Sequence, residues 1–521
     1  MINKNKLALD MAKRYFEYMV EISKDELYKG LLAYGFFADK LPPVFSSEMF
    51  YEYCANNDCE KFSKKPRDYI RYSSIRNTNV PRAMGIPSPF LCMQLCVILR
   101  DKWNEICALF KDKTQNQDFK RSQLHIQKFK LKESIFEMNH DYMDRDSELE
   151  TELYGLPIMS RYQVDADISS CFPSIYSHAI AWALVGKDVA KRDRGEKTHF
   201  QNEIDRRSRN LKNGETNGLI IGPHTSNLIS ELILCSVDER LVGKGYKYVR
   251  NIDDYRCFVR SEDEAENFIQ DLNEALKEYE LSLNAKKTKI SPLPLAANAN
   301  WVSRLNEFYI GNTITEDGKQ VFELRRLKAY IDLTINLAKE NSNLALYTYM
   351  IKVVGGCALG DKALKLYFAT IRHLVCLYPY LVHWVDKYVF EAFNISRKDI
   401  RLIAADVYNE GLRRHVYEAC SFSLYWCLKY NISLDVNYSK DSILSNDCIF
   451  MTLSFLVAKM QKKEEYIKNL VLKARRLAIN DFDQYWLFVY EMLSDSELPE
   501  DFNSIKKEGI TFIKKEFNFA V

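Results

Sequence analysis

The sequence predicts an α+β fold in which a mixed domain of strands and helices precedes an all-α domain. Strand-like and helix-like patterns alternate between about residues 160 and 290, as expected of a domain built around a sheet. From Leu324 onward, apolar residues recur at helical spacing, for example Leu327, Ile331 and Ile335. Only 18 glycines and 13 prolines interrupt the chain, which favours a high helix content.

The length of 521 residues exceeds what one hydrophobic core usually organises, so we expect more than one domain. The boundaries are placed where the composition changes. They give an N-terminal helical segment at residues 1–60, a mixed domain at 61–300 and a C-terminal helical domain at 301–521.

Charge and composition exclude several classes of protein. The 73 basic and 71 acidic residues leave a net charge of +2, so any surface that binds nucleic acid must be local. The chain has no apolar run long enough to span a bilayer, and its first residues predict an amphipathic helix rather than a signal peptide. We therefore expect a cytoplasmic protein without a membrane partner. The 13 cysteines form no Cys-x-x-Cys pair and are interpreted as reduced, buried thiols.

The first candidate functional residue is Asp167. Apolar and polar residues alternate from Tyr162 to Ile168, which predicts a strand with Asp167 near its end. A carboxylate in that position can project into a cleft. If this segment is considered alone, however, the better interpretation is that Asp167 caps the next turn. A helix is predicted to follow at residues 174–184.

Two further carboxylates, Asp253 and Asp254, lie between two strand-like runs and predict a hairpin with acidic residues at its tip. Acidic residues are common in turns. Between buried apolar strands, however, adjacent carboxylates repel each other unless a cation neutralises them. Hard oxygen ligands of this kind select Mg²⁺ or Mn²⁺. Together with Asp167 they would form a site for two ions, which predicts nucleotidyl transfer.

Two other segments fit this chemistry. Gly218 and Gly222 precede a predicted helix that reaches Leu241, and they would let the backbone approach a nucleotide closely. A plain glycine-rich entry to a helix is the alternative. Lys287 follows a predicted helix at residues 264–279 and could donate a proton to the pyrophosphate leaving group. Taken alone, Lys287 would be interpreted as part of a solvated basic turn.

These segments resemble the motifs of the reverse transcriptase fingers and palm, a right-hand polymerase fold. They also occur along the chain in the same order as those motifs. Five motifs in the family's order make the resemblance specific, although each alone is weak. They are the fingers segment Pro81–Pro87, the first metal motif Asp167–Phe172, the nucleotide-cradling motif Gly218–Ser226, the x-x-Asp-Asp motif at Ile252–Asp254 and the Leu-Asn-x-x-Lys-Thr motif at Leu283–Thr288.

The resemblance implies a role for each acidic residue. Asp167 and Asp253 correspond to the residues that hold two Mg²⁺ or Mn²⁺ ions, with Asp254 in support. The carbonyl of Ile168 corresponds to a further ligand, and Lys287 to the candidate proton donor.

The resemblance also implies how dNTPs are bound. Arg82 falls on the position of an arginine that contacts the incoming triphosphate, and Gly218 and Gly222 would shape the nucleotide pocket. Phe172 occupies the aromatic gate, where a bulky ring excludes the 2′-hydroxyl of an rNTP. Taken alone, Phe172 would be interpreted as a core aromatic residue.

Within that family the chain is similar to the abortive-infection reverse transcriptases, in particular to the AbiK type and its prophage-encoded relatives. Ser174–Trp182, Gly186-Lys187 and Leu228–Leu232 carry this similarity, which extends over about residues 30–290. The C-terminal third is similar only in architecture to the HEAT-like helical domain of that group. The resemblance implies a bacterial, cytoplasmic anti-phage polymerase that assembles as a homo-oligomer, a trimer or hexamer. It would make single-stranded DNA without a template, primed by a protein hydroxyl and left covalently attached.

Two departures from the family pattern bear on this expectation. Asn251 replaces the common Tyr before the Asp pair, and Ile220 and Ile221 replace a Pro-Gln pair whose Gln normally lies near the template. The loss of a polar template contact fits relaxed or absent templating. Two alternatives remain: a reverse transcriptase that copies a partner RNA, and a non-catalytic nucleotide-sensing interaction protein.

The priming hydroxyl is not identified by the sequence. Candidates near the N-terminus are Tyr15, Tyr18, Tyr28 and Tyr34, and most tyrosines are expected to be packing residues. A basic segment at residues 462–476 could guide a single strand, although a solvated helix face is the better interpretation.

Overall fold

The computed structural model describes residues 15–59, 61–78, 80–114, 125–126, 136–137, 157–295, 299–316 and 319–519. The predicted α+β class with a helical C-terminal region is confirmed. The strands of the described residues are short. They are β1 (Ile70–Ser74), β2 (Arg82–Ile86), β3 (His125–Ile126), β4 (Phe136–Glu137), β5 (Tyr162–Asp167), β6 (Lys247–Asn251), β7 (Asp254–Val259), β8 (Lys289–Pro292), β9 (Ile314–Glu316), β10 (Lys319–Phe322) and β11 (Ala358–Leu359).

Helices form most of the remaining structure. Those before residue 296 are α1 (Tyr15–Val20), α2 (Lys24–Lys29), α3 (Glu48–Asn56), α4 (Pro89–Asp101), α5 (Trp103–Thr114), α6 (Cys171–Ser174), α7 (His178–Val185), α8 (Lys187–Arg192), α9 (Phe200–Asn210), α10 (His224–Val242) and α11 (Glu262–Lys277). Those after it are α12 (Asn300–Asn312), α13 (Leu324–Glu340), α14 (Ala345–Gly355), α15 (Asp361–Leu377), α16 (Val382–Val385), α17 (Arg397–Arg413), α18 (Tyr417–Tyr430), α19 (Tyr438–Ser445), α20 (Cys448–Met460), α21 (Glu464–Asn480), α22 (Phe482–Met492) and α23 (Glu500–Lys507). No helix of the described residues is long and apolar enough to cross a bilayer.

The chain folds into two compact units, each made of segments that are separate in sequence. The first unit consists of Met1–Ala38, Ser46–Tyr69 and Gly85–Leu295. The second consists of Asp39–Phe45, Ile70–Met84 and Ala296–Val521. Two short early segments therefore fold with the C-terminal helices. The division into three domains at residues 60 and 300 stays a prediction.

The first unit contains a four-stranded antiparallel sheet with the strand order β6–β7–β5–β8. β5 pairs with β7 along its whole length, so that Asp167 lies opposite Asp254. Most side chains of β5 are buried, among them Val164, Ala166 and Asp167. Helix α11 packs on β5 and β7, and α10 packs on α11. The end of β5 therefore lies beside the tip of the β6–β7 hairpin.

The predicted single helix at residues 174–184 is wrong in its first part, because α6 and α7 are separate. The backbone between them pairs with the loop that precedes α10. The amide of Ser177 donates to the carbonyl of Thr216, and the amide of Gly218 donates to the carbonyl of Ile175, each at 2.8 Å. These tertiary hydrogen bonds replace the helical ones and interrupt the helix.

The second unit consists mainly of helices that pack against their neighbours in sequence, among them α17 with α18 and α21 with α22. A small sheet of β9, β10 and β11 accompanies them. Strand β1 packs on α18, α20 and α22 of this unit. The likeness of this helical array to HEAT repeats stays a prediction.

A buried carboxyl joins β1 to the helices of the second unit. Glu418, in the first turn of α18, is 7% exposed and accepts hydrogen bonds from the amide of Ile75 and from Ser74 Oγ. The imidazole Nε2 of His383 lies 3.5 Å from Glu418 Oε1. Burial raises the pKa of Glu418 to about 8, although the Ile75 amide and the Lys40 ammonium lower it. The folded state therefore favours the protonated form of this carboxyl.

We expect Glu418→Gln to weaken the pH dependence of stability. The unfolded chain releases this proton near pH 4.5, whereas the folded protein retains it to about pH 8. The stability that the protonated carboxyl contributes is therefore lost as the pH rises between these values. Between pH 5.5 and 8.0, the free energy of unfolding of the wild type should fall by roughly 2–3 kcal/mol more than that of the variant.

Urea unfolding at the two pH values measures this difference. Glu410→Gln is the matched control, because Glu410 is a half-buried glutamate of α17 paired with Arg413. Parallel pH profiles for the wild type and Glu418→Gln would show that Glu418 is ionised in the folded protein.

Candidate active site

Three carboxylates meet at the end of β5, an inner strand of the four-stranded sheet. Asp167 ends β5, and Asp253 and Asp254 lie at the tip of the β6–β7 hairpin. One oxygen of each carboxylate lies within 4.8 Å of the other two. Among the described residues, no other group of three metal-ligating side chains is this compact. Carboxylate oxygens at this spacing suit hard divalent cations such as Mg²⁺ and Mn²⁺.

Main-chain hydrogen bonds hold the tip of the hairpin against β5. The amide of Ile168 donates to the carbonyl of Asp253 at 3.2 Å. Ile252, directly before the Asp pair, has a φ of +58°, which is uncommon for a β-branched residue and costs about 1–3 kcal/mol. The hairpin turn therefore depends on the contacts around it. Ile168 itself is buried, and its predicted role as a carbonyl ligand stays a prediction.

The loop after α11 also contacts Asp167. The amide of Asn284 donates to the carbonyl of Asp167 at 2.8 Å, and Asn284 Nδ2 donates to Asp167 Oδ2 at 2.9 Å. Lys287 Nζ lies 3.1 Å from the same carboxylate oxygen, and its side chain is 63% exposed. The structure thus brings Lys287 to the acidic cluster, where its ammonium offsets part of the negative charge. Its role as a proton donor stays a prediction.

Asp254, one of the three carboxylates, has a raised pKa. Desolvation, a hydrogen bond with Asp167 and the charge of Asp253 raise the pKa of Asp254 to about 7, while the Lys287 ammonium lowers it. Near neutral pH, Asp254 is therefore partly protonated, and a divalent cation would compete with that proton.

We expect the affinity for Mn²⁺ to increase with pH between 6 and 8. Below pH 7 the Asp254 carboxyl carries a proton that an incoming cation must displace, so the affinity should fall about tenfold per pH unit there. Calorimetric titration with Mn²⁺ in buffers of different ionisation enthalpy measures both the affinity and the released proton. Asp254→Asn should abolish the pH dependence, whereas Asp165→Asn, on the same sheet, should retain it. An affinity of the wild type that is constant from pH 6 to 8 would contradict this assignment.

The first part of the predicted nucleotide motif lies against the predicted sugar gate. Gly218 has a φ of +77°, and a Cβ atom there would lie 2.7 Å from the carbonyl oxygen of Pro173. The amide of Leu219 donates to the carbonyl of Phe172 at 2.8 Å. Phe172 is half-buried. The Phe172–Pro173 backbone therefore lies closer to Gly218 than a residue with a Cβ atom would allow.

The second glycine of the motif contacts the end of the predicted fingers segment. Gly222 has a φ of +140°, and a Cβ atom there would lie 2.8 Å from the carbonyl oxygen of Gly85. The amide of Gly85 donates to the carbonyl of Ile221 at 2.9 Å. Arg82, which begins β2, is exposed and belongs to the second unit, whereas the carboxylates belong to the first. Its contact with a triphosphate stays a prediction.

Sequence reasoning missed a buried ion network behind the hairpin. Arg250 of β6 is fully buried, and its guanidinium contacts the carboxylates of Glu231 and Asp238 on α10. Charged residues are almost never fully buried unless they are paired. An arginine within a predicted, mainly apolar strand was the available signal, and it indicates a buried acidic partner.

Two other predicted features are only partly described. The side chains of Tyr15 and Tyr18 lie outside the described residues, Tyr28 is buried and Tyr34 is half-buried. Within the basic segment, Arg475 pairs with Glu497. Neither the priming hydroxyl nor a path for single-stranded DNA is identified by these positions.

Part of the chain is similar to a known protein family. Residues 102–345 match the model of the family described as reverse transcriptase (RNA-dependent DNA polymerase). This range includes the three carboxylates and Lys287 but not Arg82. No curated protein matches the sequence.

Two solved structures are similar over much of the chain. One is apo telomerase from Candida tropicalis, with 11% identity, 85% of this chain and 73% of that chain covered, and a TM-score of 0.33. The other is telomerase from Candida albicans in complex with the TWJ fragment of telomeric RNA, with 11% identity, 81% and 64% covered, and a TM-score of 0.30. At these TM-scores neither similarity bears on function.

Proposed function

We propose that this chain, which carries a reverse transcriptase domain, is a DNA polymerase that joins dNTPs by two-metal nucleotidyl transfer. The observation that carries the proposal is the cluster of Asp167, Asp253 and Asp254, with ligand oxygens within 4.8 Å of one another. Two Mg²⁺ or Mn²⁺ ions held by these carboxylates would activate the attacking hydroxyl and neutralise the triphosphate. Such chemistry requires acidic side chains at these positions.

The chain's own residues have distinct tasks in this proposal. Asp167 and Asp253 hold the ions, and Asp254 takes part once it has lost its proton. Lys287, which already contacts Asp167, holds a proton that the pyrophosphate leaving group can accept as its bond to the α-phosphorus breaks. Gly218 and Gly222 keep the pocket open for the nucleotide.

Selection of the sugar is assigned to Phe172. An aromatic ring at the gate leaves no room for a 2′-hydroxyl, so dNTPs are used in preference to rNTPs. The hydrogen bond from the Leu219 amide to the Phe172 carbonyl fixes the backbone of the gate relative to the nucleotide motif.

We further propose that synthesis needs no template and is primed by a hydroxyl of the protein, in a bacterial anti-phage system. The resemblance to abortive-infection reverse transcriptases supports this. Ile220, which is buried, and Ile221, which is half-buried, stand where relatives have Pro-Gln, so the polar template contact is missing. The product would be single-stranded DNA attached covalently to a cytoplasmic homo-oligomer, a trimer or hexamer.

One alternative keeps the same chemistry. The matching family is described as RNA-dependent, which favours a reverse transcriptase that copies a partner RNA. The two functions differ in what must be added to the protein, and this difference is measurable.

Purified protein is incubated with Mg²⁺ and labelled dNTPs, without nucleic acid, and the products are separated on a denaturing gel before and after protease. Labelled DNA whose mobility changes with protease supports protein-primed, untemplated synthesis. A product that forms only with added RNA template and primer supports the alternative. Absence of a product under both conditions, with either Mg²⁺ or Mn²⁺, would contradict the polymerase proposal itself.

A further inference from the structure

Arg250 forms the centre of a buried hydrogen-bond network directly behind the acidic hairpin. Its guanidinium donates from Nη1 and Nη2 to the two carboxylate oxygens of Glu231, at 3.0 and 3.1 Å. Nε and Nη2 donate to Asp238 Oδ2 at 3.0 and 2.7 Å. Nη1 also donates to the carbonyl of Ile252 at 2.9 Å. The hydroxyl of Tyr248 donates to Asp238 Oδ1 at 2.9 Å.

This network connects two parts of the proposed active site. Helix α10 begins at His224, two residues after Gly222 of the nucleotide motif, and carries both Glu231 and Asp238. Arg250 therefore joins a rigid helix that starts at the nucleotide motif to the carbonyl of the residue before Asp253.

The hydrogen bond from Arg250 to the Ile252 carbonyl lies at a strained point of the backbone. Ile252 has a left-handed φ of +58°, a conformation that β-branched residues rarely adopt and that persists only when the surroundings fix it. Because Ile252 directly precedes Asp253 and Asp254, any relaxation of its backbone would move both carboxylates away from Asp167. A planar guanidinium can satisfy two carboxylates and a carbonyl at once, which a lysine ammonium cannot do in the same geometry.

We propose that Arg250 is a positioning residue that fixes Asp253 and Asp254 relative to the nucleotide motif through the Ile252 carbonyl. The inference rests on the proposed function for the identity of the metal ligands. A contribution to stability alone does not require this network, since apolar side chains can often replace a buried ion network without loss of stability. The particular contact to Ile252 is what apolar side chains cannot reproduce.

The first test is Arg250→Lys in the full-length chain. We expect the variant to remain folded but to bind Mn²⁺ at least tenfold more weakly, measured by the loss of the electron paramagnetic resonance signal of free Mn²⁺. For dNTP incorporation, kcat should fall about 10²-fold while KM changes less than threefold, since a displacement of about 1 Å suffices for such a loss. Arg256→Lys is the matched control, because Arg256 is an exposed arginine of β7 that pairs with Asp165.

A second variant separates positioning from stability. Glu231→Gln, Asp238→Asn and Arg250→Met combined remove all three charges, so that none is left buried without a partner. We expect this triple variant to melt cooperatively but to bind Mn²⁺ as weakly as is expected of Arg250→Lys. If Arg250→Lys does not fold, the triple variant alone tests whether Arg250 positions the carboxylates. Wild-type Mn²⁺ affinity and kcat in either folded variant would overturn the proposal. If the wild type binds Mn²⁺ but makes no product, the proposed function fails, while the Mn²⁺ affinities still test Arg250.

Discussion

Replacing Asp253 with alanine will reduce dNTP incorporation by about 10³-fold or more while leaving the protein folded. Asp253 is one of three carboxylates whose oxygens lie within 4.8 Å, so its loss removes a third of the ligand set and unbalances the charge at the reacting phosphorus. Stability should not fall, because the change removes one of three neighbouring carboxylates, which disfavour each other's charged form. Initial rates of incorporation and the melting temperature measure the two effects separately.

Asp165→Ala is the matched control for this prediction. Asp165 lies two residues before Asp167 on β5 and pairs with Arg256 at the surface. The control should retain activity within about threefold, because exposed ion pairs contribute little. If Asp253→Ala kept a tenth or more of the wild-type rate, the acidic cluster could not be the metal site of a polymerase.

The second large effect is expected from Gly218→Ala. The added Cβ atom would lie 2.7 Å from the carbonyl oxygen of Pro173, closer than any relaxed contact, so the Phe172–Pro173 segment must move. A displacement of the gate by even part of an ångström should reduce kcat/KM for dNTPs by about 10²-fold. The preference for dNTPs over rNTPs should fall at the same time, because the ring no longer fills the space of the 2′-hydroxyl. Single-nucleotide incorporation with paired dNTP and rNTP substrates measures both quantities.

Gly214→Ala separates the steric contact from backbone strain. Gly214 has a φ of +82°, close to that of Gly218, but a Cβ atom there would have Pro66 as its nearest neighbour at 3.8 Å. Both variants therefore carry similar conformational strain, of about 1 kcal/mol, and only one carries the clash. Equal losses of activity in the two variants would attribute the effect to strain and leave the gate without a role in it.

Local sequence patterns were sufficient to predict the strand and the hairpin that carry the acidic cluster. Period-two alternation predicted β5, and two apolar runs around Asp253-Asp254 predicted the β6–β7 hairpin. The helix predicted up to Leu241 is present as α10. Where neighbouring residues determine the conformation, a single sequence is enough.

Long-range contacts were beyond such reasoning. The helix predicted at residues 174–184 is interrupted because Ile175 and Ser177 bond to residues of another loop. Similarly, Arg250 could be recognised as unusual in an apolar strand, but its partners on α10 could not be named before the fold placed them beside it. The grouping of Ile70–Met84 with the C-terminal helices also follows from contacts hundreds of residues apart.

The grouping of β1 with the C-terminal helices has a consequence for biosynthesis. Strand β1 ends at Ser74, whereas α22, one of the helices on which it packs, begins at Phe482. At translation rates of about 5–20 residues per second, the ribosome needs roughly 20–80 s to make the chain between them. For most of this interval, until α18 (Tyr417–Tyr430) has been made, the nascent strand has no partner helix to cover its apolar side chains. The packing of β1 in the second unit can therefore be completed only after α22 has been made.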